Sequence, residues 1–186
     1  MASRKISEMI SLTYDNNPHY QYFPDELLIA IFWEETLFQN IVQFRGAEGK
    51  KGLGFGQVQE DTLPLIKVRM GKSFPPGMIT SNDAMSVEVA SYALETLRRG
   101  FQSGSAESAY KVGYAGATED GKNQVLDGRT RGQIANAVWQ AGLDLARCGW
   151  DDREAVRAAL MRARPANDSI FDDVLDRGEN RSLDSE

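Results

Sequence analysis

The clearest helical pattern in the chain runs from Pro24 to Phe38. Pro24 opens it, and Asp25 and Glu26 follow at the positively polarised end of a helix. Leu27, Leu28, Ile31 and Phe38 then recur on one broad apolar face. A second helix is predicted over 83–102. Ser81 or Asn82 can cap it, and Met85, Val89, Tyr92, Ala93, Leu97 and Phe101 form its stripe. The same spacing predicts helices near 3–15, 57–70, 105–115, 130–148 and 152–163. Two stretches interrupt the pattern. Residues 45–56 carry glycine at 46, 49, 52, 54 and 56, which precludes a stable helix and permits tight turns or a short hairpin. Residues 71–80 hold Pro75-Pro76-Gly77 and read as a loop. The pattern predicts a mainly α protein with a small irregular or β element after the 24–38 helix.

Composition narrows the class. The chain has 186 residues, 41% hydrophobic and 26% charged, which suits one compact domain and excludes a mainly disordered or fibrous chain. The net charge is −6, and it sits at the ends. Residues 51–150 carry 11 basic and 10 acidic groups, against 4 and 7 in 1–50 and 6 and 10 in 151–186. No basic footprint for nucleic acid or an anionic membrane is present, so neither partner is expected. Cys148 is the single cysteine; it excludes an internal disulfide and a Cys-rich zinc site, and a reducing compartment of synthesis is expected. No apolar run is long enough for a transmembrane helix, and polar residues interrupt the segment after Arg4 and Lys5 where a signal peptide would need its apolar core.

The same elimination applies to cofactors. His19 is the only histidine, which excludes a histidine cluster for a metal; a Ser-His-Asp triad would have to use it, and a surface or packing role is the expectation. Glu119, Asp120 and Asp127 read as a solvated acidic loop rather than a calcium site. Gly52-x-Gly54-x-Gly56 lacks the spacing and context of a nucleotide loop. No metal or cofactor is expected. Trp33 and Trp139 fall in helical stripes and read as core.

One charged residue stands out against this background. Glu35 lies four residues after Ile31 and three before Phe38, on the apolar side of its helix. A carboxyl facing apolar packing tends to keep its proton, which is what a general acid requires. The alternative is that Glu34 or Glu35 reaches solvent or pairs with Arg45.

Three segments carry a resemblance. Ala30-Ile31-Phe32-Trp33-Glu34-Glu35-Thr36-Leu37-Phe38 resembles the catalytic helix of lytic transglycosylases and goose-type lysozymes, which ends in Glu-Ser-x-Phe; here Thr36 replaces the serine. Gly54-Phe55-Gly56-Gln57-Val58-Gln59-Glu60-Asp61-Thr62 resembles the family's Gly-Leu-Met-Gln-Ile-x-Pro-x-Thr, with Glu60 in place of proline. Ala109-Tyr110-Lys111-Val112-Gly113 resembles Ala-Tyr-Asn-Ala-Gly, with Lys111 in place of asparagine; Tyr114 could take the tyrosine's role if the register slips. The resemblance spans 24–116, about half the chain, and the segments before and after it resemble nothing known to us.

The resemblance implies a lysozyme-like helical domain: an N-terminal helical segment over 1–23, a catalytic core over 24–116, helices over 117–176 packed on the same domain and a frayed tail over 177–186. It implies a muramidase that cleaves the β-1,4 bond between N-acetylmuramic acid and N-acetylglucosamine in peptidoglycan. Glu35 would be the acid, with Gln57, Tyr110, Gly54, Gly56 and Thr62 binding substrate. Glu48, Glu60 and Asp61 are the candidates for a second carboxylate. Hydrolysis is the expectation, because the glycine-rich loop carries Glu48 beside the cleft; with no such base the sugar's 6-hydroxyl would attack, as in lytic transglycosylases. A catalytically silent binding module of the same fold is the other class. With no leader in view, the protein would be made in the cytoplasm and delivered by a phage or by a bacterial secretion machine. The resemblance extends to type VI-secreted muramidase effectors, which implies action in the periplasm of a target cell and a cognate immunity protein that blocks the cleft.

Overall fold

The computed structural model describes residues 3–45 and 50–175. Among these the protein is mainly helical. Helix α1 (Ile6–Asn16) precedes α2 (Asp25–Thr36), and a three-stranded antiparallel sheet follows. Its strands are β1 (Val42–Arg45), β2 (Lys50–Leu53) and β3 (Val58–Gln59), in the order β1-β2-β3. Then come α3 (Leu63–Met70), the short α4 (Pro76–Ile79), α5 (Asp83–Gly100) and α6 (Ala106–Ser108), which runs into a π-helical turn over Ala109–Tyr114. A hairpin of β4 (Val125–Leu126) and β5 (Arg129–Thr130) leads to α7 (Arg131–Cys148), α8 (Arg153–Ala163) and α9 (Asp168–Val174).

Helix α2 is the hub. The pattern predicts one apolar face, but eight of its twelve residues are buried, from Leu27 through Trp33 without a break and again at Thr36. The reason is that α1, α5, α7 and α8 pack around it, so no side of its first turns meets water. The α7 contact is close because of one glycine. A Cβ on Gly142 would sit 2.9 Å from the Leu27 Cα, and Ala135, Val138, Ala141 and Leu145 continue that buried face. The core is continuous from Ile6 on α1 to Leu175 after α9. The segments on either side of 24–116 thus contribute to it directly.

Caps hold several helix starts. The Asn82 side chain accepts the Met85 amide at the start of α5, which settles the choice between Ser81 and Asn82. Thr130 and Gln133 form a reciprocal capping box on α7. Asp152 accepts the Ala155 amide at the start of α8.

Three expectations change, and two elements are new. The helix expected over 57–70 begins only at Leu63. Gln57 adopts a left-handed φ of 51°, and Val58 and Gln59 pair with Leu53 and Gly52 to close the sheet. The loop at 71–80 contains α4. The helix at 105–115 is short and then widens into the π-helical turn. The β4–β5 hairpin was signalled by Asp127-Gly128, both at positive φ in the manner of a two-residue turn, and was not anticipated; nor was α9. No helix among the described residues is long and apolar enough to cross a membrane. The tail expected at 177–186 lies outside the described residues.

Candidate active site

Helix α2 ends abruptly where Glu34 and Glu35 sit. Leu37 and Phe38 both take left-handed φ values, 52° and 61°, and the chain folds back so that the Phe38 ring is fully buried against Trp33 at 5.3 Å. Two non-glycine residues in that region are strained, and the burial of Phe38 holds them there. The Thr36 hydroxyl lies 3.1 Å from the Phe32 carbonyl and 3.0 Å from that of Phe55, so it ties the helix end to the glycine-rich turn. Both glutamates are half-buried in consequence.

Glu35 opens into a small pocket of about 80 Å³. Gln57, Val58, Gln59 and Thr62 line it from the sheet side, Ala93 and Leu97 from α5, and Gly113 and Tyr114 from the π-helical turn. That volume holds only about two or three waters, the scale of a reacting group and its water rather than a whole ligand. Among the described residues lining the pocket Glu35 is the only carboxylate.

The glycines have a different role from the one expected. Gly54 and Gly56 are buried and face protein. A Cβ on Gly54, at φ +77°, would lie 2.3 Å from the Ser86 hydroxyl, which also accepts the Phe55 amide at 2.8 Å. A Cβ on Gly56 would lie 2.5 Å from the Tyr114 hydroxyl and 3.1 Å from Ala90 Cβ. These residues let the turn approach α5 and Tyr114. Gln57 is likewise turned inward: its amide nitrogen donates to the carbonyls of Gly54 at 2.8 Å and Ile41 at 3.1 Å, while its buried Oε1 has no hydrogen-bond partner among the described residues. The donor expected for a sugar is therefore spent on bracing the turn.

Tyrosine is the second change. Tyr110 is buried, lies off the pocket and stacks on Trp139 at 6.3 Å. Burial pushes its phenol well above the usual range, and the negative charges of Glu34 and Glu35 add to the shift, so it stays protonated. Tyr114 lines the pocket instead, and its hydroxyl donates to the Gly56 carbonyl at 2.5 Å. The aromatic-then-glycine form of Tyr114-Ala115-Gly116 is the sequence signal for it.

Of the other carboxylates, Glu60 faces Lys51 at 3.8 Å, Asp61 is exposed, and neither lines the pocket. Glu48 lies outside the described residues. No group of three metal-ligating side chains comes together among the described residues. A larger, open hollow of about 680 Å³ between α8 and α9 is lined by Arg153, Arg157, Met161 and Leu175 among others; its Asp172 faces Arg157, and it lies away from these groups.

His19 does meet a serine, but with the wrong proton direction for a nucleophile. Ser91 on α5 donates to Asn17 Oδ1 at 2.7 Å, so His19 Nδ1, 3.1 Å from the Ser91 oxygen, must donate to it rather than accept. Asn17 in turn donates to Asp25 and to the Phe23 carbonyl, both at 2.8 Å. This network pins the 17–24 turn to α5.

No family model, curated protein or solved structure matches the chain.

Proposed function

We propose that the protein is a peptidoglycan-cleaving enzyme of lysozyme-like fold, a muramidase with Glu35 as general acid. One observation carries the reading: three segments far apart in sequence, the end of α2, residues 57–62 and residues 113–114, meet at one pocket around a half-buried carboxyl. These are the three segments that resemble lytic transglycosylases and goose-type lysozymes. The mainly α architecture with a small sheet after α2 agrees with that fold.

In the proposed reaction the Glu35 proton passes to the glycosidic oxygen as the C1–O bond breaks, through an oxocarbenium-like state. Tyr114, whose hydroxyl is held by the Gly56 carbonyl, lines the same pocket.

A second reading concerns what attacks C1. A water activated by a second carboxylate gives hydrolysis; attack by the muramyl 6-hydroxyl, whose proton passes to the Glu35 carboxylate left by the first step, gives a 1,6-anhydro sugar. That Glu35 is the only carboxylate among the described lining residues favours the anhydro product, and Glu48 remains the candidate for the hydrolytic base. The proposed setting is delivery as an antibacterial effector, with an immunity protein covering the cleft. The test is incubation with purified sacculi, followed by mass spectrometry of what is released. Muropeptides cut at the muramic acid–glucosamine bond support the reading, and their reducing or anhydro ends separate the two outcomes. Intact sacculi contradict it.

A further inference from the structure

Arg164, just after α8, joins the C-terminal part of the chain to the helix end that carries Glu35. Helix α8 ends at Ala163, and Arg164 takes an extended conformation, φ −143° and ψ 111°, as Pro165 requires of the residue before it. That turn aims both ends of Arg164 at α2. Its carbonyl accepts the Trp33 indole N–H at 3.0 Å, and its guanidinium donates to the Glu34 carbonyl at 2.6 Å. Two consecutive residues of the last turn of α2, the pair just before Glu35, are thus held by one side chain and its own backbone.

The geometry suits the need. The last four carbonyls of a helix lack partners within it, and the C-terminal end is negatively polarised. Trp33 gives its carbonyl to the Leu37 amide at 3.0 Å and Thr36 gives its own to Gln39 at 3.2 Å. Arg164 takes that of Glu34 with a charged, planar donor. The brace is itself anchored. Arg129 on β5 donates to the carbonyls of Arg162 and Ala163 at 3.3 and 2.8 Å, and the Trp33 ring is fully buried, 5.5 Å from Phe171 of α9. The strained Leu37–Phe38 turn follows immediately.

We infer that Arg164 is a positioning residue for Glu35: it clamps the end of α2 so that the carboxyl is held at the pocket, and it gives the 117–175 region a part in the reaction. The inference rests on the reading of Glu35 as the acid. A displacement of about 1 Å at a reacting group can cost a hundredfold in rate, so a clamp one residue away is significant.

The test has two arms. Hydrogen exchange on Arg164→Ala should accelerate about tenfold at the Leu37 and Phe38 amides and stay unchanged at Ile31. On sacculi, Arg164→Ala should lose about tenfold in kcat with KM within twofold, and Arg164→Lys, which keeps a charged donor, should recover most of both effects. Unchanged exchange at Leu37 and Phe38 overturns the inference, as does a loss carried by KM or a lysine variant no better than alanine. If the alanine variant does not fold, the lysine variant and Arg164→Gln form the comparison. Exchange is also read in a Glu35→Gln background, where it does not depend on catalysis. A wild-type protein inert on sacculi therefore refutes the acid reading separately from the clamp.

Discussion

The Tyr114 hydroxyl donates to the Gly56 carbonyl at 2.5 Å and thereby joins the π-helical turn to the glycine-rich turn at the pocket that Glu35 also lines. Each side depends on the other. A side chain at position 56 would occupy the place of the hydroxyl, and without the hydroxyl the Gly56 carbonyl loses its partner. Tyr114→Phe should cost about 1 kcal/mol of stability, the usual net value of one hydrogen bond. Gly56→Ala should cost more, about 1–3 kcal/mol, because Ala90 also stands 3.1 Å from the new methyl. Urea denaturation of both variants and of their combination checks this; strictly additive losses would show that the two residues are not coupled.

Gly142 sets how near α7 comes to the hub helix. Gly142→Ala places a methyl 2.9 Å from the Leu27 Cα, which is backbone and cannot rotate away. The expected cost is about 1–3 kcal/mol. A melting temperature equal to the wild type would mean that the helices separate freely here.

Glu95 is a buried carboxylate whose charge is balanced by two arginines. Arg98 meets it at 2.6 and 2.8 Å and Arg99 at 2.8 Å, while Arg98 also lies over the Tyr22 ring at 3.7 Å. Removing the acid leaves the mostly buried Arg98 without its partner, so Glu95→Ala should destabilise by about 3–5 kcal/mol. Arg99→Ala, which removes a half-exposed side chain and leaves Arg98 on the acid, should cost far less, within about 1 kcal/mol. Thermal or urea unfolding of the two variants tests the difference; equal losses would contradict it.

The same cluster predicts two pH limits. Burial lowers the His19 pKa, and Arg99 and Arg98 lower it further against the pull of Glu95. The folded protein therefore binds fewer protons at His19 than the unfolded chain. Its contribution to stability is complete above about pH 6.5, the unfolded value, and is lost as pH falls below it. For Glu95, burial acts to raise the pKa, but hydrogen bonds from Arg98 and Arg99 prevail and hold it below the usual carboxylate range. Its contribution is present above the unfolded value, about 4.3, and is lost as pH falls through the depressed folded value. Urea melts from pH 8 to 5 should show the first decline in the wild type and a flatter profile in His19→Asn. An unchanged slope in that variant would contradict the assignment.

How much of this was legible in the sequence differs from element to element. The helices at 25–36, 83–100, 131–148 and 153–163 were visible, because periodicity and, at 83–100, the capping residue Asn82 agree there. The burial of α2 on every side was not, since Ile29, Ala30 and Phe32 lie outside the anticipated stripe and become buried only when α7 and α8 arrive. Glu35, Gln57 and Thr62 were named from motifs and do line one pocket. The direction of Gln57 was not legible, because bonds to Ile41 and Gly54 turn its amide inward. Tyr110 and Tyr114 are four residues apart in a widened turn, and only packing against Trp139 decides which is buried. Arg164 carries no motif at all; its role arises from a contact 130 residues distant in sequence.

The central claim is tested most directly by turbidity loss of purified sacculi with the wild type, Glu35→Gln and Glu34→Gln side by side, each confirmed folded by circular dichroism. The expected result is that Glu35→Gln loses the activity completely while Glu34→Gln keeps most of it. A Glu35→Gln protein that still clears sacculi at the wild-type rate would contradict the account.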